Sequence, residues 1–588
     1  MQPTHLRRIV YEPLREKPGV RDMFANSFAL CRFYLRRECP KTIIWFVLIL
    51  GLAVGFGAGI SGMYPDQDSL DAMLEPLNNP SFKAMLGQYY LDGGVLTLGS
   101  MYSVYTLVWL LIIVGCMNAA LVVCHTRKDE EFGRLEVVRS LPVGRMSNLS
   151  AVLTAAVILN AILALLIGLG LGTAAEAGRG MDYAGAFATG GACAAFGIVM
   201  AGVSAVFCQL NKHPGTAMAW SFGFLGMLYM TFMMGSMQEN QAAVNISILG
   251  LAQRSMTFVA NDWAPIILTA LIGIVLCIKA LWLCKIRDLG ESLIPSAPGR
   301  SDAKASLKSP GALAWRLLRG WCAFWAIVVF LLGYSYGSVM GDMEAFIESN
   351  DVFRQISQGN VMVMVSTFLL IVSVMGVLPI LNFMLKARSE EKRGYAENIL
   401  AHSASRGSQL RGYFIISLVA AVLVPFISAA GFRAGSVLVM DDPIPFGNWI
   451  ISCVVYTPAI LVLLGVAVAL IGWLPKFTGW VWGYLGYTFV ALYLGTLMGI
   501  PEWASKLTPF GHVPKLPYVE QIGSAPYILP DGTPLLDEKG VRVITPIFAD
   551  EATYALTGND IAAMIIMTVL SAVLFILGFI GYSNRDSE

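Results

Sequence analysis

The sequence predicts an all-α polytopic membrane protein with twelve transmembrane helices, arranged as two six-helix pseudo-repeats. Three observations predict this fold. Of the 588 residues, 56% are hydrophobic and only 13% are charged, whereas soluble domains carry about 25% charged residues. Apolar runs recur along the whole chain, and a spanning helix needs roughly 20 apolar residues. A charged motif in the first half also returns in the second half at a constant spacing.

Residues 1–41 are predicted to form a cytoplasmic segment on the membrane surface. Within it, residues 20–38 alternate apolar and basic side chains, which favours an amphipathic helix lying in the interface. A disordered basic tail held by charge alone is the alternative. The first apolar run begins near Thr42, too far into the chain and too long for a cleavable signal peptide.

Twelve segments are predicted to span the membrane. The first half, residues 42–285, holds six, near 43–62, 101–124, 149–172, 184–208, 215–236 and 264–284. A cytoplasmic linker with a second interfacial helix is expected at 286–320. The second half, residues 321–588, holds six more, near 321–340, 360–385, 412–431, 448–473, 479–500 and 561–582.

The loop at 501–559 is the one segment expected to form a small extracellular domain. A turn signal at Leu529–Thr533 lies between two short strand candidates, Tyr527–Ile528 and Val541–Ile544. The pattern predicts a small hairpin, and an ordered coil is the alternative.

The distribution of Lys and Arg predicts the orientation. With the amino terminus inside, 30 of the 40 Lys and Arg residues fall in inner segments and 8 in outer loops. Cytoplasmic loops carry the excess of Lys and Arg. Both termini and both charged motifs are therefore expected on the cytoplasmic side of a multi-pass protein.

The duplicated motif is the principal candidate functional site. Six positions of the first copy match the second at an offset of 261 residues, which argues for a duplicated unit. The candidate residues are Arg127, Glu130, Glu131, Gly133, Arg134, Glu136 and Arg145 in the first copy, and Arg388, Glu390, Glu391, Gly394, Glu397 and Arg406 in the second. Residues 128–140 are predicted to form about three helical turns before Pro142, with Glu130 and Arg134 paired four residues apart.

The sequence lacks the motifs that several kinds of functional site require. The sequence holds no GxxxxGK[ST] and no HExxH, and its five histidines are scattered, so we assign no catalytic residue, metal or cofactor to this chain. A net charge of +1 gives no reason to expect a nucleic-acid partner. Acidic residues are almost absent from the predicted spans, which weakens an ion-driven mechanism, since such carriers usually need an ionisable residue there.

A resemblance to a known family emerges from the motif. The pattern Arg127-x-x-Glu130-Glu131-x-Gly133-Arg134-x-Glu136, followed by Ser140-Leu141-Pro142-Val143-x-Arg145, resembles the cytoplasmic loop of ABC-2-type permeases. More narrowly, it is similar to exporters of polyketide antibiotics in the tetronasin-resistance group. Arg287-Asp288-Leu289-Gly290 after the sixth predicted span also resembles that group.

The resemblance implies an ATP-driven exporter subunit in the cell membrane of a bacterium. The charged loops would act as coupling helices on two separate ATPase subunits, a homodimer or a heterodimer, which hold the ATP and Mg²⁺. A bulky, largely apolar compound would pass along the second and fifth spans of each half. The candidate lining residues are Tyr105, Trp109, Asn118, Trp220, Phe224, Met364, Ser366, Trp482 and Tyr487. Packing is the alternative role for each of them.

Two further expectations follow. A transporter driven by an ion gradient, or a membrane enzyme without an ATPase partner, is the alternative function. The two charged motifs are also unequal, because the second has Tyr395 and Ser403 where the first has Arg134 and Pro142. Damage to the first motif is therefore expected to reduce activity more.

Overall fold

The protein consists of two compact units, Met1–Gly299 and Arg300–Glu588. The division falls within the predicted linker 286–320. The computed structural model describes residues 19–64, 66–71, 73–78, 83, 85–174, 179–237, 247–288, 290–295, 302, 307, 309–343, 360–401, 405–440, 443–494, 501–526 and 544–585.

The first unit is helical throughout its described part. Its elements are α1 (Val20–Met23), α2 (Ser27–Met63), α3 (Gln67–Asp71), α4 (Leu74–Asn78), α5 (Leu98–His125), α6 (Arg127–Glu131), α7 (Arg134–Arg139), α8 (Ser147–Ala174), α9 (Tyr183–Leu210), α10 (Pro214–Met237), α11 (Ile248–Gln253) and α12 (Trp263–Ile286).

Helix α9 lies at the centre of the first unit. It packs against α5, α8 and α12, while α2 packs along α8. Side-chain caps define where the central helices begin: the Thr97 hydroxyl accepts a hydrogen bond from the Ser100 N–H, and the Asp182 carboxylate accepts one from the Gly185 N–H. Such caps satisfy backbone donors that have no partner in the first turn.

The second unit adds a two-stranded sheet to its helices. Its elements are α13 (Pro310–Ser338), α14 (Val361–Met375), α15 (Val377–Lys392), α16 (Tyr395–Leu400), α17 (Arg406–Ser436), α18 (Phe446–Val454), α19 (Thr457–Trp473), α20 (Trp480–Phe489), α21 (Glu502–Ser505), β1 (Tyr518–Pro526), β2 (Ile544–Thr553) and α22 (Gly558–Asn584). Three single 3-10 turns occupy Met340–Asp342, Pro475–Phe477 and Pro509–His512.

The helix pairs of the second unit correspond to those of the first. Helix α13 packs along α17, and α19 packs along α22. In both units, therefore, the first predicted span packs on the third and the fourth predicted span packs on the sixth. Glycines permit the close approach of α13 and α17, because a Cβ at Gly431 would lie 2.3 Å from the carbonyl oxygen of Phe330. Small residues have this role in helix pairs within lipid.

Eleven helical segments of the described chain are long and apolar enough to cross a membrane. They agree with eleven of the twelve predicted spans. The remaining prediction, 479–500, corresponds to α20 and a π-helical turn at Val490–Leu494, and residues 495–500 lie outside the described part. Three of the eleven are interrupted, at Thr126 between α5 and α6, at Gly376 between α14 and α15, and before Pro458 between α18 and α19.

The two predicted interfacial helices are not separate elements. Helix α2 runs without interruption from Ser27 to Met63, and α13 from Pro310 to Ser338. The break in the amino-terminal segment lies instead at Asn26, which adopts a left-handed conformation with φ of 60°. Buried Cys31 and Tyr34 belong to the same core cluster as residues of α5 and α8, so the basic segment packs as part of the bundle.

The loop before α22 contains paired strands. Strands β1 and β2 are antiparallel, with Tyr518 opposite Thr553 and Pro526 opposite Ile544. These strands lie outside the predicted turn. Most of the predicted hairpin, including Tyr527–Ile528 and the turn at Leu529–Thr533, lies outside the described residues.

The close contact between α13 and α17 can be tested by mutation. We expect Gly431→Ala to lower the free energy of unfolding by about 1–3 kcal/mol, because overpacking forces two backbones apart. Gly320→Ala on α13 is the matched control, since a Cβ there meets nothing within 4 Å. Thermal unfolding of the purified protein in detergent measures both, and equal stability of the two variants would contradict the contact.

Candidate functional site

Each charged motif folds as two short helical pieces joined at a glycine. Gly133 separates α6 from α7 with φ of 69°, and Gly394 separates α15 from α16 with φ of 74°. Residues with a Cβ rarely adopt this left-handed conformation. The prediction of a single helix over 128–140 is therefore wrong, and the matched glycines place the same turn in both motifs.

Glu130 is the centre of a buried charge cluster in the first unit. Arg287 donates two hydrogen bonds to its carboxylate, at 3.1 and 3.0 Å, and Arg127 donates a third at 3.1 Å. The backbone N–H of Gly290 donates a fourth at 2.7 Å. Both arginines also donate to the Glu291 carbonyl oxygen at 2.9 Å. Fork-shaped arginine contacts of this kind are strong and specific in geometry.

Arg145 completes this cluster from the start of the third span. Its Nη2 donates to the Arg287 carbonyl oxygen at 2.8 Å and to the Asp288 carboxylate at 3.2 Å. Arg139 lies beside it; partial burial is the main reason that the pKa of Arg139 lies below its ordinary value, and Arg287 and Arg145 lower that pKa further. We call Arg127, Glu130, Arg145 and Arg287 the first clasp.

The second unit repeats the arrangement. Arg388 Nη1 lies 3.1 Å from Glu391 Oε2, and Arg585 donates a short hydrogen bond to Glu391 Oε1. Arg406 donates to the Arg585 carbonyl oxygen, as Arg145 does to that of Arg287. We call Arg388, Glu391, Arg406 and Arg585 the second clasp.

Both clasps reach the carboxyl end of the fourth spanning segment as well. Arg127 donates to the carbonyl oxygen of Cys208, near the end of α9, and Arg585 donates to that of Ile471 at 2.7 Å, near the end of α19. The sixth segment contributes Arg287 after α12 and Arg585 after α22. Each clasp thus joins the charged loop to the ends of the fourth and sixth segments.

The sequence did not identify Arg287 or Arg585 as individual site residues. Arg287 entered only through the family resemblance, and Arg585 was not a candidate. A signal was present, because both sixth spans are followed by the dipeptide Arg-Asp, at Arg287-Asp288 and Arg585-Asp586.

Asp129 ties the first motif to the first span. Arg37 of α2 donates two hydrogen bonds to its carboxylate, at 2.6 and 2.9 Å, and Arg134 donates one at 3.0 Å. The predicted Glu130–Arg134 pair is therefore wrong, because the turn at Gly133 directs Arg134 to Asp129. His125 is buried between Glu38 and Asp129, 2.8 and 3.6 Å away.

Glu390, which corresponds to Asp129 in the second motif, forms its ion pair within its own helix. Glu390 pairs with Lys386, one turn earlier on the same helix α15, at 2.7 Å. Tyr395, where the first motif has Arg134, is 47% exposed. Among the described residues, the second motif has no counterpart of the Arg37–Asp129 bridge.

The remaining predicted motif residues face outward. Glu136 and Glu397 are exposed at matching positions in α7 and α16, and Glu131 lies 3.9 Å from His213. Three apolar side chains of the first motif are also exposed, Phe132, Val137 and Leu141. In the second motif, Arg393 and Asn398 take the positions of the first two.

The predicted pathway residues differ in accessibility. Trp109, Trp220 and Tyr487 are about two-fifths exposed, at 39%, 43% and 38%. Tyr105, Phe224 and Trp482 are half-buried, and Met364 and Ser366 are buried within their unit.

Asn118 is fully buried and exchanges hydrogen bonds with Asn160 at 3.0 and 2.7 Å. Both side-chain amides are also bonded to the backbone of their own helices. This pair joins α5 to α8, and it leaves the Asn118 amide occupied.

Within the described residues, no group of three His, Cys, Asp or Glu side chains is placed to hold a metal ion.

The fold and the spanning helices define a multi-pass membrane protein, and sequence comparison supplies its family. The family described as "Multidrug efflux system permease Rv1217c, C-terminal domain" matches residues 33–284 and 307–529. The chain belongs to this family of multidrug efflux permeases. A relative from Mycobacterium tuberculosis, "Multidrug efflux system permease protein Rv1217c", is 30% identical over 510 residues, which cover 84% of this chain and 90% of the relative.

Removal of the central carboxylate from the first clasp is expected to destabilise the protein strongly. Glu130→Gln leaves the guanidinium groups of Arg127 and Arg287, 2% and 7% exposed, without their counter-charge. Breaking a buried pair in this way costs about 3–5 kcal/mol of unfolding free energy. Glu391→Gln should cost less, because Arg388 and Arg585 are 15% and 16% exposed.

Glu136→Gln is the matched control for this experiment, since its side chain is exposed. Thermal unfolding of the three purified variants shows which substitution lowers the unfolding free energy most. A loss at Glu130 no larger than the loss at Glu136 would contradict the buried clasp.

Proposed function

We propose that this chain is the transmembrane subunit of an ATP-driven ABC exporter of the ABC-2 type. It moves a bulky, largely apolar compound, an antibiotic or a lipid-like molecule, out of a bacterial cell. Two ATPase subunits bind its cytoplasmic side and hold the ATP and Mg²⁺. Both termini lie in the cytoplasm, in agreement with the excess of Lys and Arg in those segments.

The repeated clasp is the observation that carries this proposal. Each unit presents one motif built on the same turn and a similar Arg–Glu–Arg cluster, joined to the ends of its fourth and sixth predicted spans. Two similar elements suit two similar sockets on a dimeric ATPase. The sequence holds no P-loop, which agrees with nucleotide binding by other subunits.

The clasp also supplies a mechanical connection. A guanidinium that bonds both to the loop and to helix-end carbonyl groups holds these elements in one arrangement, because separating them leaves buried charges unpaired. When an ATPase dimer closes and displaces a motif, the ends of the fourth and sixth segments move with it. ATP binding is thereby coupled to the spans of that unit.

The exposed side chains form the proposed docking faces. In the first motif these are Phe132, Glu136, Val137 and Leu141, a mostly apolar set, and in the second they are Tyr395 and Glu397. Apolar and aromatic side chains dominate binding energy at protein interfaces. The first motif is therefore the stronger docking element, in line with its additional bridge to α2.

The proposed pathway uses the accessible aromatic side chains. Trp109 lies 6.2 Å from Tyr229, and Trp220 lies 5.6 Å from Phe207, measured between ring centroids. Such surfaces suit large apolar ligands. The buried pair of Asn118 with Asn160 contributes packing instead.

Transport assays distinguish ATP from an ion gradient as the energy source. Inside-out membrane vesicles that contain the native complex are expected to accumulate a lipophilic fluorescent dye when Mg-ATP is added. The uptake should persist after ionophores dissipate the ion gradients, and vesicles without this chain are the control. Uptake that requires a gradient and proceeds without ATP would contradict the proposal.

The two motifs should be unequal in function. Glu136→Ala should reduce dye transport and ATPase co-purification more than Glu397→Ala does. A difference of about 1 kcal/mol in docking corresponds to roughly fivefold in affinity. Both side chains are exposed at matching positions, so unfolding temperatures should not change. Equal losses in the two variants would argue against unequal docking.

A further inference from the structure

An apolar cavity of about 400 Å³ opens on the second unit between α13, α15 and α17. Its walls come from aromatic and aliphatic side chains, among them Trp315, Trp325, Phe383, Ile415 and Ala420. The volume lies within the ~300–1,000 Å³ range of small-molecule sites. A cavity with so few polar atoms suits a hydrocarbon chain.

Two exposed arginines lie on helices that form the walls of this cavity. Arg319 lies four residues after Trp315 and three before Cys322, on the face of α13 that lines the cavity. Arg411 lies one helical turn before Ile415 on α17. Both arginines are exposed, and neither has an ion-pair partner among the described residues.

The amino-terminal ends of α13 and α17, the helices that carry these arginines, lie in contact. Gly311 and Gly412 lie in contact there, with a Cβ at Gly311 only 3.7 Å from the Cα of Gly412. Trp315, 54% exposed, lies one turn further along, and Trp is enriched at membrane–water interfaces. The carboxyl end of α15 approaches the same end, but there Lys386 is already neutralised by Glu390. The free charge at the cavity is therefore positive.

We propose that this cavity binds an anionic phospholipid. One acyl chain fills the apolar space, and the phosphate group lies between Arg319 and Arg411 in the interface. Basic pockets between spanning helices are known to take anionic headgroups. The combination of an apolar cavity with two exposed arginines on its wall helices distinguishes this site from an ordinary lipid-facing surface.

Lipid retention tests the proposal. The full-length protein is extracted in mild detergent and exchanged into nanodiscs that contain equal amounts of phosphatidylglycerol and phosphatidylcholine, and native mass spectrometry then counts the lipids that remain bound. Wild-type protein should retain phosphatidylglycerol in preference to phosphatidylcholine. The double variant Arg319→Gln/Arg411→Gln should lose this preference by about tenfold or more, since the two arginines supply the positive charge that attracts the phosphate group.

Two further variants separate the cavity from general surface charge. Arg316→Gln is the matched control, because Arg316 is exposed on α13 but lies about 100° around the helix from Trp315. It should retain the lipid, whereas Ala420→Phe, which fills the cavity, should release it. Leu331→Phe, on an exposed face of α13 outside the cavity, controls for added bulk.

Three results would overturn the assignment. The first is an equal loss of phosphatidylglycerol preference in Arg316→Gln and in the double variant. The second is equal retention of both lipids by wild-type protein, and the third is lipid retention that Ala420→Phe leaves unchanged. Displacement of the retained lipid by the lipophilic dye would assign the cavity to the transported compound instead.

Discussion

The buried carboxylate of Glu130 is the interaction on which the first motif depends. Two guanidinium groups, from Arg127 and Arg287, converge on it in a space that water hardly reaches. None of these charges is tolerable there alone, because the desolvation of an unpaired ion costs several kcal/mol. The cluster therefore specifies one arrangement of the loop relative to the helix ends, and the backbone N–H of Gly290 completes it. Such a cluster is valuable for the geometry that it enforces rather than for net stability.

The same chemistry in the second unit is enclosed less completely. Its arginines, Arg388 and Arg585, are about one-sixth exposed, so water reduces the penalty for opening the cluster. The first motif is also anchored to α2 through Arg37 and Asp129, whereas Glu390 pairs only within its own helix. Two copies of one motif have thus acquired different rigidity, and a symmetric ATPase partner would meet two mechanically different elements.

Much of the helical architecture could be predicted from the sequence, since long apolar runs have few alternatives to helices in a membrane. The ends of the helices could not. Basic residues before Thr42 suggested a separate surface helix, yet the packing of Cys31 and Tyr34 continues α2 to Ser27. Tertiary contacts determine where α2 begins, and the pattern of charged residues in the sequence carries no information about these contacts.

The side-chain pairs within the motif also could not be predicted from the sequence. Counting residues predicted the pairing of Glu130 with Arg134, but the left-handed turn at Gly133 redirected Arg134 to Asp129. Arg287 lies 157 residues from its partner Glu130, and Arg585 lies 194 residues from its partner Glu391. A single sequence indicates such distant pairs only through repetition, here the Arg-Asp dipeptide after each sixth span.

Helix α15 connects the proposed lipid site to the second clasp. Pro379 and Phe383 form part of the cavity wall, and Glu391 lies two to three turns further along the same helix. A bound acyl chain would therefore favour one position of the helix that carries the clasp. Coupling between two binding sites is reciprocal, so an ATPase that displaces this motif would in turn change the affinity for lipid. Helix α15 is continuous from Val377 to Lys392, so a displacement at one of these sites would reach the other. Among the described residues, the second motif has no bridge to the first predicted span, so it is the motif that would respond in this way.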